Sequence, residues 1–542
     1  MIKISKKILF PIIFLSGFLM CQKAEAAYCT GSESVWNCTV TTLTDEGVVA
    51  VLDEVKNLTG EVTVNLPAGT YNFDADVSIN MSSDYTNVSI LIIKGAGSKD
   101  VGNTIISDPR SVAWNHESFN VTMAENKIIR FTGLKFLGKA NPIYITGNSS
   151  VPPDGGFAVD NNIFYKPTTS NDDEARGVLI RGTKDLYGVI ANNKVDWNGQ
   201  LADYAGTYSS AYGQGNNKHI EPIPLGTFKA VYLEGNIARQ YGWHGGSEVY
   251  NFMLCDTGYG ASLVGRYNTM THFHWSGHDS STSRSQVSWD IHNNDISSST
   301  NYTPGAIAGR GGTGVIYNNN VRVPIAFTNG NQGISFILDR LNNGGVKAPW
   351  GNYKCDGTVY YVCLGEHAAP EFGTSPYECN PSDPTACNNH PAECQAMDGN
   401  EEPETAPGYP CRDQVGMGPD DPVTGEPTRY PALLWNNWFY KGNDDPVPAH
   451  VDISSAIVSY WGAYAVEGRD FCHGDGENHT TMPTSCSGIA TTYSPEPTCP
   501  HPLLKLFGYS GSCDLNVIGA VGYNIISDDI IAPAAPSGLA VS

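Results

Sequence analysis

A short strand-like segment that ends in asparagine recurs along this chain, and this repeat constrains the fold more than any other feature. Alignment on that residue brings into register Asn162, Asn193, Asn236, Asn268, Asn294 and Asn319. The intervals are 31, 43, 32, 26 and 25 residues, about one solenoid coil plus a variable loop. Asn suits a sharp bend because it tolerates left-handed backbone angles. The repeat therefore predicts an all-β chain folded as a parallel β-helix, since a sandwich would show hairpin turns.

Three columns of side chains precede the aligned Asn. The aliphatic column, three positions before it, should face the core and contains Val159, Ile190, Leu233, Gly265, Ile291, Ile316 and Leu434. The polar column, two positions before it, is mixed and should face outward; it contains Asp160, Ala191, Glu234, Arg266, His292, Tyr317 and Trp435. The outer apolar column, four positions before it, contains Ala158, Val189, Tyr232, Val264, Asp290, Val315 and Leu433. Because simple alternation turns this last column outward, we expect loops to cover it or the strand to bend there.

A helix is predicted ahead of the first coil. Val48, Leu52 and Val55 recur at helical spacing within residues 45–58, which is typical of an amphipathic helix. The first coil of a solenoid is otherwise exposed to edge pairing, so this segment is interpreted as a capping helix.

The domain organisation follows from these patterns and from composition. Residues 1–26 have Lys residues, an apolar run and Ala24-Glu25-Ala26, which is typical of a secretory signal peptide. Residues 532–542 resemble a linker and the first strand of a fibronectin type III module. The predicted order after the signal peptide is the N-terminal cap and β-helix over 27–340, a Cys-rich insertion over 341–430, final coils and C-terminal closure over 431–510, and a tail over 511–542.

Charge and hydropathy exclude two classes of partner. The signal peptide carries four Lys and one Glu, so its removal takes the net charge from −23 to −26. Such an acidic chain does not attract nucleic acid. No stretch after residue 26 reaches the roughly 18 to 20 apolar residues of a membrane span, so we expect a secreted protein, free or held at the cell surface by partners.

Cysteine usage is typical of an exported protein. Thirteen Cys follow Ala26, and ten of these lie between Cys355 and Cys513. Spacing predicts three local disulfides, although connectivity does not follow from sequence alone: Cys29 with Cys38, Cys355 with Cys363 and Cys472 with Cys486.

Several further stretches resemble the secreted right-handed parallel β-helix repeat proteins of the pectate-lyase-like superfamily. They are "LPAGTY" (66–71), "KGAGS" (94–98), "RYNT" (266–269) followed by "SWDIHNN" (288–294), "GRGGTGVIYNN" (309–319) and "PHPL" (500–503). The resemblance covers roughly residues 43 to 510 and implies the right-handed β-helix fold. It does not imply an activity. Some members cleave acidic polysaccharides, but neither the arginine segment of pectate lyases nor the acidic set of polygalacturonases is found in this sequence.

Charges in the polar column suggest a catalytic row. Neighbouring strands lie about 4.8 Å apart, so Glu234, Arg266 and His292 should occupy adjacent rungs. Arg266 would hold a uronate carboxylate while Glu234 or His292 moves the C5 proton, which is lyase chemistry. The alternative is a cross-strand salt-bridge ladder that only neutralises the sheet face.

The densest polar segment, "THFHWSGHDSSTSR" (271–284), suggests a sugar-binding patch. An aromatic ring beside planar hydrogen-bonding groups suits a sugar ring, and Arg310 should border the same groove. The candidate binding residues are Trp275, His278, Asp279, Arg284 and Arg310.

The histidines of this segment are weaker candidates for metal binding. His272 and His274 share a face, but a metal needs further donors, for which His244 is the obvious candidate. We therefore predict no metal ligands and no cofactor. Calcium is kept as the alternative because of three acidic runs without EF-hand spacing, at residues 171–177, 419–422 and 443–446.

Two functions remain open at this point. The first is an extracellular polysaccharide-active enzyme, a lyase or glycoside hydrolase. The second is a non-catalytic extracellular β-helix, such as an adhesin, matrix or structural protein. In both, the expected partner is a polysaccharide or a cell-surface glycan.

Overall fold

The computed structural model describes most of the repeat region and parts of the segments that follow it. The described residues are 28–97, 103–110, 116–138, 141–147, 155–166, 176–181, 186–198, 203–208, 230–241, 253–258, 261–276, 286–297, 306–309, 312–323, 334–336, 340–341, 347–348, 416–420, 427–441, 445–448, 467–468, 470–475, 479–486, 489–490 and 499–510. The predicted signal peptide, the tail, the Cys355 to Cys363 disulfide and all but short stretches of the insertion lie outside them.

Three long sheets, here named A, B and C, contain most of the described strands. Sheet A has thirteen: Cys29–Ser32, Val35–Thr39, Gly60–Leu66, Val88–Gly95, Ile128–Thr132, Gly156–Asp160, Tyr187–Ala191, Val231–Glu234, Ala261–Arg266, Gln286–His292, Thr313–Tyr317, Ala432–Trp435 and Phe471–His473. Sheet B has eleven: Gly69–Asn72, Thr104–Asp108, Leu134–Gly138, Ile163–Lys166, Lys194–Asn198, Ile237–Tyr241, Thr269–Thr271, Asp295–Ser297, Asn320–Val323, Trp438–Lys441 and Asp445–Pro448. Sheet C has nine: Val77–Asn80, Glu117–Met123, Asn141–Gly147, Arg176–Arg181, Asp203–Tyr208, Met253–Gly258, His274–Ser276, Ile307–Gly309 and Ile334–Phe336.

The remaining described strands form three two-stranded antiparallel sheets. They pair Arg340–Leu341 with Lys347–Ala348, Met417–Asp420 with Pro427–Arg429, and Ser485–Cys486 with Ile489–Ala490.

The chain visits the three long sheets in turn, and strands of successive repeats pair in parallel. One repeat gives Gln286–His292 to sheet A, Asp295–Ser297 to sheet B and Ile307–Gly309 to sheet C. Antiparallel pairs in these sheets occur where Cys29–Ser32 meets Val35–Thr39 and where Trp438–Lys441 meets Asp445–Pro448. The architecture is thus all-β with long parallel sheets, and it is compatible with a β-helix solenoid.

The predicted register of sheet A is confirmed. Val159 pairs with Ile190, which pairs with Leu233, and the alignment continues through Gly265 to Leu434. The aliphatic side chains of this column are buried in the main hydrophobic core. Full burial of each Val, Leu or Ile stabilises the fold by about 1.5 to 3 kcal/mol, so the column is a strong determinant of register.

The aligned Asn side chains form a hydrogen-bonded ladder at the turn between sheets A and B. The backbone N–H and the Nδ2 of Asn268 both donate to Oδ1 of Asn294, at 3.0 Å each. Nδ2 of Asn268 also donates to the Leu233 carbonyl at 2.9 Å. The same pattern links every aligned Asn from Asn162 to Asn437. Each rung therefore satisfies buried polar groups that the bend would otherwise leave without partners.

The prediction that the aligned Asn itself adopts left-handed angles is wrong by one position. The residue before it does so, with φ between 51° and 67°: Asn161, Asn192, Gly235, Tyr267, Asn293, Asn318 and Asn436. Each bend therefore places a different requirement on each of two consecutive residues. The first residue must tolerate positive φ, and the second must carry the amide of the ladder.

The predicted N-terminal helix is confirmed. Helix α1 spans Asp45–Val55, and the Thr44 side chain caps it by accepting from the Gly47 N–H at 3.2 Å. Its apolar face is buried against strands of sheets A and C and consists of Val48, Val51, Leu52 and Val55.

Two of the predicted disulfides are confirmed. Cys29 is bonded to Cys38 and Cys472 to Cys486, and Cys499 is also disulfide-bonded. These bonds are consistent with an extracellular protein. Among the described residues, no helix is both long and apolar enough to cross a membrane.

A segment from near the C-terminus, residues 499–510, packs back onto the outward face of sheet A. We call it the closing segment. It contains helix α2, Pro502–Leu506, and its buried apolar side chains are Leu503, Leu504 and Phe507. They pack on Ala158, Val189, Ala191, Tyr232 and Val264, most of which belong to the outer apolar column. Of the two expectations for this column, cover by another segment is confirmed over its first four residues.

Candidate functional site

The structure brings the three predicted catalytic residues together. Glu234 ends one strand of sheet A, and it pairs in register with Arg266, which pairs in turn with His292. Parallel pairing in a fixed register therefore produces the adjacent rungs that the sequence predicts. The row contains a carboxylate, a guanidinium and an imidazole.

This row is not open to solvent, which corrects the expectation of an exposed polar column. The side chain of Glu234 is 2% exposed, and residues Arg266 and His292 are 1% and 0% exposed. Nε and Nη2 of Arg266 donate to one oxygen of Glu234, at 3.0 and 2.7 Å. The Arg266 guanidinium also lies over the Tyr232 ring, 5.0 Å from its centroid. Both charges are thus engaged within the protein.

The closing segment occupies the other oxygen of Glu234. The backbone N–H of His501 donates to Glu234 Oε1 at 3.1 Å. The His501 ring packs on Tyr232 at 4.5 Å between centroids, and its Nδ1 accepts from the Leu503 N–H to cap helix α2. Glu234 is therefore held by Arg266 on one side and by the closing segment on the other.

A second ion pair lies under the same segment, and sequence analysis missed it. Arg130 donates to both oxygens of Asp160 at 2.7 Å, a bidentate geometry that strengthens the pair. The Tyr509 hydroxyl donates to Asp160 at 2.8 Å, and the Phe507 ring lies 4.4 Å from the Arg130 guanidinium. Arg130 lies one coil before the first aligned Asn, so it belongs to none of the three columns defined from the sequence.

The pKa values in this cluster are shifted in the directions expected for a closed network. The pKa of Tyr509 is raised by burial and then by the Asp160 charge, which disfavours the phenolate. Burial alone would lower the pKa of Arg130, but the Asp160 carboxylate outweighs it and the pKa is raised. Asp160 therefore keeps the cation charged and the phenol neutral.

Beyond the closing segment, the polar column becomes an aromatic stack. The His292 ring lies parallel to Tyr317 at 4.5 Å, and Tyr317 lies parallel to Trp435 at 4.3 Å. Tyr317 and Trp435 are only partly buried, against Val315, Leu433 and the Cys472–Cys486 disulfide. This part of the face therefore carries aromatic rings that are not fully buried.

Asp290, the one charge in the outer apolar column, is buried in the same strand as His292, Gln286–His292. Burial, and then the charge of Asp290, raises the pKa of Tyr430. The carboxylate thus lies close enough to the Tyr430 phenol to disfavour its ionisation.

Trp275 does not fit the role of a sugar platform, which corrects that prediction. It is 1% exposed and belongs to the main core, where its ring lies against Gly265. Gly265 is the one glycine of the aliphatic column, and a Cβ there would collide with the Trp275 ring. The other predicted sugar-binding residues, His278, Asp279, Arg284 and Arg310, lie outside the described residues.

The predicted histidine pair is split by the fold. His272 has φ of 61° at a bend, and its Nδ1 lies 2.8 Å from the Gln240 carbonyl oxygen. His274 is buried in a strand of sheet C. Within the described part of the chain, the histidines form no cluster that could hold a metal ion, whereas three carboxylates come close together at the start of α1.

Comparison of the chain with family models, with curated proteins and with solved structures finds no match in any of the three.

Proposed function

We propose that this protein is a secreted right-handed parallel β-helix of the pectate-lyase-like type that binds extracellular polysaccharide without cleaving it. In this proposal α1 caps the first coil, and the sugar contacts the aromatic stack on sheet A. The observation that carries the proposal is the closure of the Glu234, Arg266 and His292 row.

Closure argues against catalysis by that row. A uronate would have to displace Glu234 from Arg266, which is already desolvated and hydrogen-bonded. A base would also have to reach the C5 proton, yet both oxygens of Glu234 accept hydrogen bonds. The row therefore fits the alternative role of a buried structural ladder.

Carbohydrate binding is supported by the other half of the same face. Tyr317 and Trp435 present partly exposed rings with polar edges, and such side chains suit sugar ligands. The two described disulfides support an extracellular location, where such ligands occur.

Affinity electrophoresis and calorimetry with a panel of uronic-acid and neutral polysaccharides test this proposal. We expect retention by at least one polymer, with no rise of ultraviolet absorbance from unsaturated chain ends. Trp435→Ala should weaken binding about tenfold, because one desolvated aromatic contact is worth roughly 1 to 2 kcal/mol.

Tyr440→Ala is the matched control, since Tyr440 lies on sheet B over Arg322 and away from the stack. It should bind like the unmodified protein. Binding that is absent for every polymer, or equal in Trp435→Ala and the parent, would overturn the proposal.

A lyase remains the second candidate, because Glu234, Arg266 and His292 do lie on adjacent rungs. It requires the closing segment to move away from Glu234. Product absorbance in the same assay, lost in Glu234→Gln while the circular dichroism spectrum is unchanged, would favour this candidate. Absence of product on every uronide, with and without Ca²⁺, would exclude it.

A further inference from the structure

Three carboxylates meet at the N-terminal end of the molecule, far along the chain from the polar column. Asp45 and Glu46 occupy the first turn of α1, and Asp74 follows the sheet B strand Gly69–Asn72. One oxygen from each lies within 4.8 Å of the others. Two separate segments thus direct negative charge to one point.

Asp45 is the unusual member of this group. It is 3% exposed, and its Oδ2 accepts from the Ala75 N–H at 2.8 Å. Its Oδ1 is also enclosed but accepts no hydrogen bond from any described residue. In the described part of the chain, none of the three carboxylates is part of an ion pair. A buried anionic oxygen without a partner is costly, and no described residue supplies a positive group to this site.

Acidic residues in a first helical turn are common because they complement the helix dipole. That effect accounts for exposed Glu46 and for acidic character at this position. It does not account for the enclosed Oδ1 of Asp45. Nor does it explain why Asp74, from another segment, shares the same point.

We propose that Asp45, Glu46 and Asp74 bind a calcium ion. Hard carboxylate oxygens are the ligands that Ca²⁺ and Mg²⁺ prefer. The three oxygens lie within 4.8 Å of one another and can therefore reach a single ion. Ca²⁺ accepts oxygen ligands in a flexible geometry, whereas Mg²⁺ demands a near-ideal octahedron, so carboxylates from two separate segments suit Ca²⁺ better. Water would complete the coordination on the exposed side, where Glu46 and Asp74 lie.

The surrounding backbone already holds the two segments together. Thr44 and Asn72 form a parallel bridge, and the Asn72 N–H donates to the Leu43 carbonyl at 3.3 Å. The ion would add a charged link between the start of α1 and sheet B. Binding should thus stabilise the N-terminal end.

Calorimetric titration of the full mature chain tests the site, after EGTA treatment and removal of the chelator. CaCl₂ should give a saturable transition with a dissociation constant of about 10⁻⁴ to 10⁻³ M, and MgCl₂ should bind more weakly. Asp74→Asn and Asp45→Asn should each lower the Ca²⁺ affinity about tenfold or more. Excess Ca²⁺ should raise the melting temperature of the parent by a few degrees and that of these two variants by less.

Asp53→Asn is the matched control, because Asp53 lies on the same helix but pairs with Lys56. It should bind Ca²⁺ like the parent. Because Asp74 is exposed, Asp74→Asn tests the site even if Asp45→Asn fails to fold. The proposal is overturned if the parent does not bind Ca²⁺, or if Asp74→Asn binds it as tightly as the parent does. It is also overturned if Asp53→Asn loses as much Ca²⁺ affinity as Asp74→Asn. The carboxylates would then be no more than an acidic first turn of the helix.

Discussion

The outward face of sheet A has two halves that accommodate the side chains of the polar column in different ways. Under the closing segment, the charged residues of the polar column are held in two buried ion pairs: Asp160 pairs with Arg130 from the preceding coil, and Glu234 pairs with Arg266. Beyond it, the same column holds the stacked rings of His292, Tyr317 and Trp435. The first half satisfies charge inside the protein, whereas the second leaves aromatic surface at its edge. A shared column position therefore does not imply a shared role.

The sharpest test of the first half is removal of one charge. Among the described residues, Arg130→Ala leaves Asp160 buried with Tyr509, Thr132 and Asn161 as its side-chain donors. We expect a loss of about 3 to 5 kcal/mol in the free energy of unfolding, measured by urea denaturation. The penalty arises from the uncompensated charge more than from the lost contact.

Arg322→Ala provides the comparison, because Arg322 pairs with Asp295 at an exposed position. Its loss should cost less than about 1 kcal/mol. Equal losses in the two variants would show that burial under the closing segment does not make the Arg130–Asp160 pair more important for stability than an exposed pair on sheet B.

The closing segment itself can be loosened at one side chain. Phe507→Ala removes a buried ring that packs on Arg130, at an expected cost of about 3 kcal/mol. Amide hydrogen exchange should speed up in residues 501–510 and 231–234. It should stay unchanged in residues 471–475, which belong to the other half.

Leu506→Ala is the control in the same short helix, since Leu506 is an exposed apolar side chain. It should leave the amide exchange rates unchanged in residues 501–510, 231–234 and 471–475. Uniform acceleration across sheet A in Phe507→Ala would mean that the two halves open as one unit.

The smallest expected effect is a fall in the free energy of unfolding at alkaline pH. The pKa of Tyr509 is raised in the folded protein, so above about pH 10 the unfolded chain has lost a proton that the fold retains. Stability from this group is complete below pH 10 and falls as the pH rises, by about 1.4 kcal/mol for each unit until the folded pKa is reached. Unfolding of the parent and of Tyr509→Phe should therefore differ in slope above pH 10. Parallel profiles would contradict the role given to Tyr509.

Local patterns in the sequence predicted much of sheet A. The aliphatic column, the ladder positions, helix α1 and two disulfides all follow from short-range spacing, because each depends on residues within a coil or its neighbour. The left-handed bend was placed one residue late, since an Asn that forms a ladder and an Asn that bends the chain look alike in sequence.

The candidate site was predicted only in part. Register placed Glu234 beside Arg266, but nothing local to the repeat indicated that His501 would cover them from 267 residues away. The polar neighbours of Trp275 in the sequence predict an outward side chain, whereas its ring is buried in the core. The one glycine of the aliphatic column, Gly265, was the available indication of a bulky side chain packed inside.

The asparagine ladder has a consequence for how such a chain tolerates change. Asn294 and Asn319 are 25 residues apart, whereas Asn319 and Asn437 are 118 apart, yet both pairs make the same hydrogen bonds. Loop-closure entropy grows only slowly with length, so the ladder can admit a long excursion between two neighbouring rungs at little extra cost. New segments can be inserted between one bend and the next without re-registering the sheets, because the two-residue bend that carries each rung keeps its length, as at Tyr317–Asn320 and Trp435–Trp438.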